Sequence, residues 1–352
     1  MRPRTLLATF TAGLAAVAGL TAAAPAGAAG SHACSPSVRI DRFSDALDKT
    51  GFQGTFVGNL SALAVDRDGS LAAVSDRSSL FRLDRTTLAP TSVVPLADES
   101  GAVLDSEGLV VDLPHSRLRS SGGTPIGTRL VSSETEPSVR RYRPDGRLLD
   151  RLPVPGPLRV APAGRARANG TFEGLTLLPG GHRLLASMEY PLAGDAADLV
   201  RFQTWQRTPG NRFRPAAQYA YPVDAGLGVP EVQSLPDGRL LVLERGFTAG
   251  VGNTVRLYLA DPRHATDTSG VETLTGQDDG VRVIRKTLLA DLAACPSLGA
   301  TARQPQPNPL LDNIEGMAVT GRAGDRLNVL LVSDDNQSEK QITRFYFLRV
   351  RL

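Results

Sequence analysis

Acidic residues recur at one position of a repeated phrase. Ser106-Glu107-Gly108-Leu109, Phe172-Glu173-Gly174-Leu175 and Ile314-Glu315-Gly316-Met317 are near-copies of one another. A degenerate copy, Pro230-Glu231-Val232, falls between the last two, and Leu60-Ser61-Ala62-Leu63 is an earlier copy without the acid. Each phrase opens an apolar run that leads through a turn to a second apolar run, closed by another acid: Asp76, Glu134, Glu189, Glu244 and Asp334. Carboxylates crowded together disfavour their own charge, so they take up protons or a cation. Oxygen donors without His or Cys suit a hard cation, most naturally Ca²⁺. The expected metal-binding set is Glu107, Glu173, Glu231, Glu315, Asp76, Glu134, Glu244 and Asp334. Acids at strand ends also cap turns or pair with arginines, and Arg77 and Arg245 directly follow Asp76 and Glu244.

Other chemistries lack their residues. No Gly-x-Ser-x-Gly elbow is present. His32, His115, His182 and His264 are scattered without zinc-ligand spacing. No Gly-rich phosphate loop ending in Lys occurs. What remains is cation-assisted hydrolysis of an ester, with the cation as Lewis acid and a carboxylate as general base. Glu173 and Glu189 are the expected catalytic pair. Arg77, Arg245, Lys340 and Arg344 are candidates to hold an anionic substrate group, and blade-to-blade salt bridging is the competing role for them. The rival class is a non-enzymatic binding protein with a structural cation.

These acids need a scaffold that brings distant repeats together. Glu173–Leu178 and Arg183–Met188 are strand-like runs joined by Pro179-Gly180-Gly181, a turn signal. Strands joined by a tight turn are antiparallel, so Glu173 and Glu189 belong at one end of a hairpin. The pattern returns at Leu63–Asp76, Glu107–Glu134, Glu231–Glu244 and Glu315–Asp334, each followed by further strand-like runs. A repeat of about 40–80 residues built only of strands predicts an all-β chain folded as a single β-propeller around a central channel. Six four-stranded blades are favoured, the sixth drawn from the N-terminal arm Val38–Val57, the C-terminal strand or the Val281–Leu289 region. First strands commonly line the channel, which would bring the opening glutamates to one mouth.

Residues 1–28 read as a secretory signal: a basic Met1–Arg4, an apolar Leu6–Leu20 and the small-x-small Ala26-Gly27-Ala28. No later segment is long and apolar enough to cross a bilayer. The formal charge of +3 falls to about +1 without Arg2 and Arg4, which gives no reason to expect a nucleic-acid partner. Two cysteines, Cys34 and Cys295, are expected to form one disulfide in an exported chain. The expected protein is a secreted monomer, residues 29–352 forming one domain, acting on a small-molecule or envelope-derived anionic ester.

Five phrases taken together carry a family resemblance. They are Val74-Ser75-Asp76-Arg77, Asn169-Gly170-Thr171-Phe172-Glu173-Gly174-Leu175, Leu243-Glu244-Arg245-Gly246, Asp312-Asn313-Ile314-Glu315-Gly316 and Val332-Ser333-Asp334-Asp335-Asn336. In this order they resemble the secreted phytase-like propellers known for the "esterase-like activity of phytase". The resemblance implies a propeller fold and phosphate-ester hydrolysis. The Asp-rich run ending in an apolar-Trp pair of bacterial β-propeller phytases is not in the sequence, whose one Trp is Trp205. The opening Glu-Gly is also similar to the metal-binding glutamate of Ca²⁺-dependent lactonase propellers, so a lactone or carboxylic ester is the alternative substrate.

Overall fold

A computed structural model describes residues 32–113, 127–277 and 280–352. The expected signal segment and His115 lie outside the described residues. The chain enters through strand β1 (Val38–Ser44) and a small hairpin, β2 (Thr50–Phe52) and β3 (Thr55–Val57). Four blades then follow in sequence order, each strand pairing with the next. Blade one is β4 (Leu60–Val65), β5 (Leu71–Ser75), β6 (Ser79–Leu83) and β7 (Pro90–Pro95). Blade two is β8 (Ser106–Asp112), β9 (Thr128–Ser133), β10 (Ser138–Tyr142) and β11 (Leu148–Arg151). Blade three is β12 (Phe172–Leu177), β13 (Arg183–Met188), β14 (Leu199–Thr208) and β15 (Arg212–Pro222). Blade four is β16 (Gly228–Ser234), β17 (Leu240–Thr248), β18 (Gly252–Asp261) and β19 (Arg285–Asp291). Blade five joins β20 (Ile314–Ala323), β21 (Arg326–Ser333) and β22 (Phe345–Arg351) to β1, which pairs antiparallel with β22.

The described residues thus form five four-stranded blades, where six were favoured. The segments held in reserve for a sixth blade complete others. Val38–Ser44 is the outer strand of blade five, Phe345–Arg351 its third strand, and Arg285–Asp291 the outer strand of blade four. A ring of sheets must close, and a strand from the start of the chain pairing beside the last one does so while covering an exposed edge. Among the described residues no helix is long and apolar enough to cross a membrane.

The ring is packed from the axis outward. First strands β4, β8, β12, β16 and β20 neighbour one another in turn, and β20 returns to β4. They approach so closely that a Cβ at Gly108 would stand 2.4 Å from the Glu173 carbonyl oxygen. One at Gly174 would stand 2.6 Å from the Val232 nitrogen. The glycine of the Glu-Gly phrase is therefore required by packing between blades. Gly174→Ala should cost about 1–3 kcal/mol through backbone overpacking; an unchanged urea midpoint would show that the inner strands have room to spare. Between blades, sheet faces bury apolar side chains, with Trp205 edge-on to Phe172 at 5.5 Å and its Nε1 donating to the Pro153 carbonyl at 2.7 Å.

Cys34 and Cys295 are joined in a disulfide, as the sequence predicts. It links the arm preceding β1 to the turn following β19 across 261 residues of chain. Reduction, or the Cys34→Ser/Cys295→Ser variant, should lower unfolding free energy by about 2–4 kcal/mol in denaturant titrations, because it frees a long loop in the unfolded chain.

Candidate active site

Strand pairing brings the acids together. Ser106 lies opposite Ser133, Phe172 opposite Met188, and Ile314 opposite Ser333. The next residue on each strand is an acid, giving the pairs Glu107 with Glu134, Glu173 with Glu189 and Glu315 with Asp334. Leu60 lies opposite Ser75 in blade one, so Asp76 takes the same place beside Ser61. A register shift follows each opening pair, the kind of bulge that re-aims side chains at the end of a strand.

These side chains line a cavity of about 580 Å³ at one mouth of the channel. Eight carboxylates face it: Asp76, Asp105, Glu107, Glu134, Glu173, Glu189, Glu315 and Asp334. Two trios, Asp105–Glu107–Glu134 and Glu134–Glu173–Glu189, each offer ligand oxygens within 4.8 Å of one another, and they share Glu134. Oε2 of Glu134 and Oδ1 of Asp76 are buried without a hydrogen-bond partner.

Burial dominates the electrostatics, with mutual repulsion added to it. Desolvation, reinforced by Glu189 and Asp105, pushes Glu134 up to about 8. Glu107, Glu173 and Asp334 are raised well above the ordinary carboxylate range for the same reasons. Burial lifts Asp76 to about 6 against the pull of Asn59 and Arg77. Glu315 is raised by burial to about 7, with Arg245 opposing the rise. The Nη2 of Arg245 lies 2.8 Å from Glu315 Oε1 and 3.5 Å from Glu189 Oε1. Asn313 Nδ2 donates to the same Glu315 oxygen at 2.9 Å. Of the other cations at the cavity, Arg77 is largely exposed and Arg167 stacks over the Tyr190 ring at 3.9 Å.

Four residues expected at the site lie elsewhere. In blade four the register places Gly228 opposite Arg245, so Val229 stands where Glu107 stands in blade two. Glu231, opposite Leu243, takes the place of Leu109, which lies opposite Val131. It is fully buried below the mouth, its Oε1 accepting from the Val232 N–H at 2.8 Å. Glu244 points to the other face of β17 from its neighbour Arg245, as consecutive strand residues must. There it accepts from Tyr221 Oη at 2.7 Å and the Asp224 N–H at 2.9 Å, and pairs with Lys286. Arg344 is buried and tied to structure: Nε and Nη2 bind Asp45 at 2.7 and 2.8 Å, and Nη1 donates to the Pro309 and Leu310 carbonyls. Lys340 is exposed and does not line the cavity.

Sequence reading overlooked Asp105 and Asn313. Both stand two residues ahead of an opening glutamate, just before the strand begins, so their spacing is a signal in the sequence although the strand period does not reach them. Arg167 and Tyr190 come from loops, and no periodicity marks them.

Five antiparallel blades around one axis, with carboxylates gathered at one mouth, define a β-propeller with an acidic axial cavity. The chain belongs to the phytase-like family described as "Esterase-like activity of phytase", whose family model matches residues 55–337. No curated protein matches it. Among solved structures it is similar to Myxococcus xanthus glutaminyl cyclase, at 10% identity and a TM-score of 0.42 over 90% of this chain and 97% of that one. It is also similar to U3-55K, at 12% identity and a TM-score of 0.37 over 90% and 98% of the respective chains. Neither likeness bears on function.

Proposed function

We propose that this is a secreted, monomeric, Ca²⁺-dependent ester hydrolase acting at the acidic mouth, with phosphate esters ahead of carboxylic esters and lactones. The observation that carries the reading is the convergence of eight carboxylates on one cavity, with a buried, unpartnered oxygen on Glu134 where two trios meet. Family membership supports ester chemistry. The donor set fits a hard cation, being all oxygen and largely desolvated. Asp105, Glu107, Glu134, Glu173 and Glu189 are the residues to hold it. A bound Ca²⁺ supplies Lewis acidity and reverses the sign of a field that would otherwise repel an anionic ester.

The chain's own residues divide the remaining work. Glu189, expected in catalysis, and Glu173, expected both in catalysis and as a cation ligand, sit in a trio with Glu134 and suit cation holding better. Glu315 lies outside both trios and is oriented by Asn313 and Arg245, which suits a proton acceptor for the attacking water. Arg245 carries a buried Nε without a partner, a donor left for the substrate's anionic oxygen. Arg77 and Arg167 flank the cavity and suit the same anion before it enters. The test is hydrolysis of p-nitrophenyl phosphate, p-nitrophenyl acetate and a lactone, with Ca²⁺ or with EDTA. Phosphate ester turnover lost in EDTA is the expected result. Inactivity on every ester in the presence of Ca²⁺ would refute the enzyme reading and favour a binding protein.

A further inference from the structure

At the other end of blade five, away from the acidic mouth, a second cavity of about 690 Å³ opens on the seam with blade one. Its charged lining is Arg42, Arg85, Arg322, Arg326 and Arg349 against the single acid Asp41. Arg39 and Arg351 extend it in register. Arg39 lies directly opposite Arg349, and Arg326 directly opposite Arg351. Like charges facing each other across strands are destabilising, and no core packing compensates for these exposed side chains. Asp41 pairs with Arg349 at 2.6 Å, while Arg39, Arg326 and Arg351 have no carboxylate within ion-pair distance among the described residues. Asp84 and Asp325 stand in the turns on either side, and Asp84 is occupied with the amides of Thr86 and Thr87. A chain whose charges nearly balance thus concentrates positive charge in one cleft.

We propose that this cleft binds a linear polyanion carrying a phosphodiester in each repeat, an envelope polymer of the poly(glycerol phosphate) type. Arg guanidinium groups hold phosphate by a bidentate fork. Rows of side chains two residues apart along a strand are spaced by ~6.8 Å, and adjacent strands by ~4.8 Å, so the arginines form a two-dimensional grid that an extended chain can follow. Nucleic acid is disfavoured because the cleft has a single aromatic ring, Phe347, and the Arg42 guanidinium already stacks on it at 3.3 Å, where a base would have to compete. The cleft would keep the protein on a polymer while the opposite mouth faces solvent.

The test is fluorescence anisotropy with labelled poly(glycerol phosphate), and with inorganic polyphosphate and single-stranded DNA as competitors. Engagement of four net charges should weaken binding about fiftyfold between 50 and 200 mM salt, on the single-strand counterion-release slope. R326E/R349E should reduce affinity more than tenfold, while R212E/R214E on blade three leaves it unchanged. Calcium affinity and thermal midpoint, measured in parallel, keep a misfolded variant from counting as support. Equal losses in both double variants would reduce the effect to general charge and overturn the proposal. Tighter competition by DNA, or binding of inorganic polyphosphate alone, would overturn the assignment of its occupant.

Discussion

Glu134→Gln should weaken calcium binding by about a hundredfold or more, because a unit charge a few ångströms from a cation contributes several kcal/mol at an effective dielectric near 20. Glu134 belongs to both carboxylate trios, and its Oε2 is buried without a protein partner. Gln keeps the shape and removes the charge, so the loss should fall on the cation and not on the fold. The cation-free variant should even melt at a higher temperature than the parent, since the cost of burying a carboxyl group there, with the repulsion from Glu189 and Asp105 added to it, is removed. Titration calorimetry with Ca²⁺ measures the first effect and scanning calorimetry in EDTA the second. Glu136→Gln, two residues along and largely exposed, serves as the control. Affinity within a few-fold of the parent would place the cation outside these trios.

Without a cation, stability should fall as pH rises from about 5 to 8. The acids at the mouth have folded pKa values above their unfolded ones: Glu134 at about 8, Glu315 at about 7 and Asp76 at about 6. Over this range the folded state holds protons that the unfolded chain has released, so the linkage slope is negative. Their contribution is complete below the unfolded values and is lost as pH climbs through the folded ones. At ~1.4 kcal/mol for each pKa unit by which these folded values exceed the ordinary ones, the three together come to roughly 10 kcal/mol. In more acid solution a different set acts in the opposite sense. Asp224, drawn down to about 2 by its contacts with Lys286, Tyr258 and Arg256, stabilises above the unfolded value and is lost as pH falls. The EDTA-treated protein should therefore be most stable near pH 5. Saturating Ca²⁺ should flatten or reverse the decline above it, releasing protons as it binds. A Tm in EDTA that rises steadily from pH 5 to 8 would contradict the site's electrostatics.

The sequence alone determined the strand hairpins and their polarity. Alternating apolar runs, separated by turn residues, admit few pairings, and a tight turn forces each opening acid to the end where the closing acid stands. That is why Glu107, Glu134, Glu173, Glu189, Glu315, Asp334 and Asp76 were legible as one group, and Cys34 and Cys295 as a pair. What the tertiary structure decided depends on register and on closure. In blade four a two-residue offset in pairing placed Glu231 and Glu244 below the residues that carry the mouth's acids elsewhere, and Arg245, on the other face of β17 from Glu244, reaches the cavity instead. A strand has a side-chain period of two, and local sequence does not show which residue faces which across the ladder. Blade number was likewise hidden, because the outer strand of blade five comes from the start of the chain. Arg344 could be read as a substrate ligand only until the carboxylate of Asp45 and three carbonyls were seen to surround it. Arg167 and Tyr190 reach the cavity on loops whose paths are set by packing between blades, a property of the whole ring that no single stretch of sequence encodes.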